Sequence, residues 1–78
     1  MNLVIDIGNN YFKLAIFSDE TLVFNESGKT SAIEENILKL IEDFPKIKFA
    51  LTSNVSNISD STIKKIFSGK EIKIFDFS

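Results

Sequence analysis

Leu3-Val4-Ile5-Asp6-Ile7-Gly8-Asn9-Asn10-Tyr11-Phe12-Lys13-Leu14 is the stretch whose reading decides the fold. Leu3, Val4, Ile5 and Ile7 form an apolar run expected of a strand buried on both faces. Asp6 interrupts that run, although Asp is depleted in strands and an unpartnered buried carboxylate is costly. Gly8-Asn9-Asn10 supplies turn residues that tolerate positive φ, and a second strand is expected over residues 11–17. The pattern predicts a tight hairpin with a carboxylate at its mouth, free N–H groups in its turn and Lys13 just beyond. Such parts suit a phosphate–metal site: N–H groups cradle oxygens, Lys neutralises charge, and Asp holds a hydrated divalent cation. On the residues alone, Asp6 reads equally well as a strand-end carboxylate satisfied by a turn N–H. Lys13 reads first as a solvated strand residue, and Gly8 as a plain turn residue.

The totals bound what can be built around that hairpin. A chain of 78 residues makes one small domain and buries roughly 60% of its unfolded surface. A hydrophobic fraction of 44%, with eight Phe, is enough for a core and too much for a disordered chain. The net charge of −2 and the lack of a basic cluster argue against a nucleic-acid partner. With neither Cys nor His, disulfides, thiolate or imidazole metal ligands and a thiol nucleophile are excluded, as suits a cytosolic chain. The first residues carry no basic leader, and Asp6 and Lys13 cut the apolar run, so neither a signal peptide nor a membrane span is expected.

Beyond the hairpin, Ser18-Asp19-Glu20 reads as a turn, followed by a third, edge-type strand over residues 21–27 with Leu22 and Phe24 on one face. Gly28-Lys29-Thr30 reads as its break. Ser31 and Glu34 have the spacing of a capping box, and Ile33, Ile37, Leu40, Ile41 and Phe44 recur at helical spacing, predicting a helix over 32–43 that Pro45 stops. Residues 47–52 read as a fourth strand, and 53–59 as a polar Ser/Asn loop that is most simply a connection. A shorter helix over 60–68, capped by Ser59 and ended by Gly69, and a fifth strand over 71–77 complete the chain. The order β-β-β-α-β-α-β, with both crossovers right-handed, predicts a five-stranded mixed sheet in order 3-2-1-4-5 with strand two antiparallel. Both helices then fall on one face and the other face is left without cover. The 53–59 loop leaves strand four beside the carboxyl end of strand one, where open α/β sheets bind ligands.

That order, with Asp6-Ile7-Gly8-Asn9, resembles the ribonuclease H-like first half of the actin-like ATPase fold of acetate and sugar kinases. Within it, residues 3–10 followed by Lys13-Leu14-Ala15-Ile16-Phe17 look most like type III pantothenate kinase, and Leu51-Thr52-Ser53-Asn54-Val55-Ser56 is similar to the segment after that family's fourth strand. The resemblance implies ATP-dependent phosphorylation of pantothenate, the first step of coenzyme A synthesis, by a cytoplasmic homodimer using Mg²⁺ and a monovalent cation (K⁺ or NH₄⁺). It places Asp6 at the metal and phosphate, Gly8, Asn9 and Asn10 in the phosphate turn, and Lys13 beside them. The family usually has Thr where Asn10 stands, so the hydroxyl is replaced by an amide. The family's Gly-x-Asp-Arg motif, which carries the catalytic base, has no counterpart in a chain without Arg. The expectation is therefore an N-terminal nucleotide-phosphate-binding subdomain without the catalytic-base and substrate domain, inactive alone and prone to self-association. The alternative is a non-catalytic regulatory or assembly module of the same fold that binds nucleotide or a protein partner.

Overall fold

The computed structural model describes residues 1–77. Its elements are β1 (Asn2–Ile7), β2 (Tyr11–Ser18), β3 (Thr21–Lys29), a 3-10 turn at Thr30–Ala32, α1 (Ile33–Asp43), β4 (Phe49–Asn54), α2 (Asp60–Ile66) and β5 (Lys73–Asp76). The five strands form one sheet in the order β3-β2-β1-β4-β5, as the sequence order and the handedness rule predict. β2 is antiparallel to both of its neighbours, whereas β1, β4 and β5 run parallel.

Alternation along the strands sends one set of side chains towards the helices. Leu3, Ile5 and Ile7 of β1, Phe12, Leu14 and Ile16 of β2, and Ala50 of β4 are all buried. They join Ile33, Ile37 and Leu40 of α1, Ile63 and Ile66 of α2, and the flanking Ile47 and Phe67 in a single core. Both helices therefore pack on one face. The opposite face carries no element of this chain among the described residues, so β1 is buried on one face only, not on two. Asn2 and Asp6 are exposed there and Val4 is half-buried. The apolar run therefore rests on Val4 alone on the open face, and not on a second covering layer.

The boundaries of β3, α1, β4, α2 and β5 differ from expectation. β3 runs on through Gly28 and Lys29 because Gly28 is a packing residue and not a break: a Cβ there would come within 2.9 Å of the Phe12 ring. β3 also carries a bulge. Ile16 pairs with Phe24 but the next residue, Phe17, pairs with Leu22, leaving Val23 unpaired. The extra residue breaks the period of two, so Leu22 lies on the open face and Phe24 turns inward, its ring 5.3 Å from that of Phe44. At the start of α1, the 3-10 turn makes Ala32 the cap residue with no side-chain cap bond, so the Ser31 capping box does not form. β4 starts two residues late and runs on through Ser53 and Asn54, and β5 is confined to four residues. α2 is also shorter than expected, but Ser59 caps it as predicted by accepting from the Thr62 N–H.

Candidate phosphate and metal site

The register of the sheet assembles a row of polar side chains at one end of the open face. Asp6 pairs with Lys13 on β2 and with Ser53 on β4, and Lys13 pairs in turn with Ser27 on β3. Cross-strand partners point to the same side of a sheet at about 5 Å per strand. Ser53, Asp6, Lys13 and Ser27 therefore form one line across four strands. The next lines along this face are mostly apolar: Leu51, Val4 and Ala15 with Asn25 at the end, then Phe49, Phe17 and Leu22 with Asn2 between the two Phe. Asp6 and Lys13 are both exposed, and no ion pair joins them among the described residues. The carboxylate is left free to face a cation and the ammonium to face an anion.

The β1–β2 turn adjoins this row. Gly8 N–H donates to the Tyr11 carbonyl at 2.9 Å, and a Cβ on Gly8 would lie only 3.0 Å from that same oxygen. Close approach, and not a left-handed backbone, is thus what requires glycine. No residue of the turn has positive φ; Asp19 and Gly69 alone do so among the described residues. The turn is instead tied from outside by Thr30. Its N–H donates to the Asn10 carbonyl and its hydroxyl to the Gly8 carbonyl, each at 2.9 Å. The N–H groups of Asn9 and Asn10 donate to nothing among the described residues and remain available.

The loop after β4 is built with similar economy. Asn54 accepts from the Ser56 N–H and hydroxyl and donates to the Ile58 carbonyl and the Asp60 carboxylate. Its backbone joins β1 through the Val55 N–H to the Ile7 carbonyl at 3.0 Å. Loop and turn enclose a cleft of about 470 Å³ lined by Asn9, Asn10, Lys29, Ser31 and Asn57 among others. A second cleft of about 360 Å³ on the open face is bounded by Asp6, Gly8, Lys13 and Ser27. The structure thus brings Asp6, Gly8 and Lys13 to one hollow, whereas Asn9 and Asn10 line the neighbouring cleft, with Tyr11 common to both.

Sequence reasoning missed two participants. Ser53 was expected in a loop and is a strand residue beside Asp6, and Thr30 was expected to end a strand and instead holds the turn. A period-two count carried past Thr52 finds Ser53. Nothing local finds Thr30, whose acceptor lies 22 residues away.

Mg²⁺ usually keeps several waters and takes one or two protein carboxylates together with substrate phosphates. The described residues hold no cluster of three or more metal-ligating side chains. One exposed carboxylate beside a lysine and free N–H groups fits a hydrated Mg²⁺ carried on a phosphate chain; it does not fit an all-protein metal cage.

A solved structure from Bacteroides thetaiotaomicron, described as a protein with actin-like ATPase fold and unknown function, superposes with a TM-score of 0.73. The match covers 97% of this chain and 32% of that one at 11% identity. The fold is that of the actin-like ATPases. The sequence of this actin-like chain is also similar to a type III pantothenate kinase from Christiangramia forsetii, 32% identical over 71 residues. That alignment covers 87% of this chain and 29% of the kinase, so the chain spans about a third of the length of the proteins it matches. No family model matches the sequence. Among the described residues no helix is long and apolar enough to cross a membrane.

Proposed function

We propose that this chain is the N-terminal, nucleotide-phosphate-binding part of an ATP-dependent pantothenate kinase, acting at the first step of coenzyme A synthesis. The observation that carries this reading is the in-register Asp6–Lys13 pair beside the Gly8–Asn10 turn, on the central strand of an actin-like sheet. The similarity to a type III pantothenate kinase supplies the substrate class. In this reading the free N–H groups of Asn9 and Asn10 receive phosphate oxygens and Lys13 neutralises their charge. Asp6 orders the water shell of Mg²⁺, which when bound supplies electrostatic stabilisation of the phosphoryl group in flight. A monovalent cation, a homodimeric state and a cytoplasmic location belong to the same proposal.

Phosphoryl transfer depends on holding nucleotide, metal and acceptor together, and these 78 residues supply one side of that clamp. The catalytic base and the pantothenate pocket are assigned to a second domain, and this segment alone is expected to be inactive. The test is a phosphorylation assay on the full-length protein, with pantothenate compared against a panel of sugars and acetate. Transfer to pantothenate that collapses in Asp6→Asn, with an unchanged thermal midpoint, supports the proposal; equal or better transfer to another acceptor overturns the substrate.

A second reading is a regulatory or assembly module of the same fold that binds nucleotide or a protein without turnover. The observation favouring it is the apolar open face, where Phe49, Leu51 and Phe75 are exposed and the Phe49 and Phe75 rings stack at 6.3 Å. A Gly-x-Asp-Arg segment in the full-length protein together with turnover decides for the kinase.

A further inference from the structure

Thr30 is 6% exposed and lies at the junction of β3 with the 3-10 turn that leads into α1. Its N–H bond to the Asn10 carbonyl continues the ladder between β2 and β3. Its hydroxyl bond to the Gly8 carbonyl belongs to no ladder. Two-residue hairpin turns ordinarily hold their shape through positive φ at one or both central residues, which matches the twist of the strands. Asn9 and Asn10 do not adopt it, so this turn needs a restraint from elsewhere. The Thr30 hydroxyl supplies it.

Geometry then fixes the consequence. In a trans peptide the C=O and N–H point in opposite directions, and every peptide bond of the described chain is trans. When the Gly8 carbonyl is drawn towards Thr30, the Asn9 N–H on the same peptide plane is turned away from Thr30. It has no acceptor among the described residues. We propose that Thr30 is a positioning residue: its hydroxyl sets the Gly8–Asn9 peptide plane so that the Asn9 N–H is presented to a phosphate oxygen of the bound ligand. This rests on the nucleotide reading above and adds a residue outside the turn to its machinery. Thr30 touches no ligand itself.

The experiment uses the ¹⁵N-labelled full-length protein with Mg·ATP and, separately, inorganic phosphate as probes, and compares Thr30→Val, Thr30→Ser and Thr52→Val. Valine keeps the shape and removes the hydroxyl; serine keeps the hydroxyl. Thr52 is a similarly buried threonine whose hydroxyl bonds Asp76 away from the turn, so its variant measures the effect of losing a buried hydroxyl as such. Thr30→Val is expected to move the ligand-free Asn9 amide resonance and to weaken Mg·ATP binding about three- to tenfold, the equivalent of one hydrogen bond. Thr30→Ser should restore both, and Thr52→Val should leave affinity unchanged. Wild-type affinity in Thr30→Val, no rescue by serine, or an equal loss in Thr52→Val overturns the proposal. If the wild-type full-length protein binds neither probe, the nucleotide reading falls and the ligand role of Thr30 with it. Loss confined to Thr30→Val alongside intact wild-type binding leaves both standing.

Discussion

At the scale of single residues, two glycines do different work for the same reason. Gly8 and Gly28 each make room for a neighbour rather than for an unusual backbone angle. At Gly28 the neighbour is the Phe12 ring, which is fully buried and has nowhere to go. Replacing a strand glycine with alanine ordinarily gains about 0.5–1 kcal/mol in backbone entropy. Forcing a methyl against a fixed core ring costs about 1–3 kcal/mol, so the clash wins. Gly28→Ala should therefore lower the unfolding free energy measured by urea titration, and a stabilised variant would show that the ring can move aside. Asp6 and Lys13 were legible in the sequence because alternation along a strand needs only a count of two. Their pairing followed from the hairpin. Thr30 was not legible, because its role is a contact between two turns that only the finished sheet brings together.

At the scale of elements, the two helices begin in opposite ways although the sequence offers a serine cap to each. Ser59 accepts the Thr62 N–H and caps a helix of only seven residues, too short to be stable on its own. Ser31 makes no cap bond because the 3-10 turn has displaced the helix start to Ile33. Ser59→Ala is expected to cost about 1 kcal/mol and to lower the thermal midpoint by about 4–8 °C. Ser31→Ala should leave the midpoint nearly unchanged, and calorimetry on both variants checks the contrast. The same displacement shows where reading by motif stops. The spacing of Ser31 and Glu34 is right for a capping box, but the pull of Thr30 on the β1–β2 turn fixes the backbone just ahead of it. Strand existence and order were legible from periodicity and connection rules. The bulge at Val23 was not, because its cause is the pairing of β3 with β2 and not the composition of β3.

At the scale of the whole molecule, the sheet is covered on one side and open on the other. Leu51, Phe49 and Phe75 are between 39% and 52% exposed on that open side and form a contiguous apolar cluster there. The isolated chain is expected to self-associate through it. Light scattering at increasing concentration should show a rising mass, and Phe49→Lys should shift the balance to monomer without loss of fold. A strictly monomeric wild-type chain would remove the open face as an association surface. The central place of β1 also sets an order of events during synthesis. β1 and β2 can pair as soon as both have left the ribosome, but β4, the other neighbour of β1, is complete only at Asn54, 36 residues after Ser18, a delay of about two to seven seconds at ordinary elongation rates. Throughout that interval β1 offers one unpaired edge to whatever is near it. A nascent chain stalled before Phe49 should therefore bind hydrophobic-binding chaperones more tightly than the same chain released after β5, when β1 is paired on both edges and the α2 residues have joined the core.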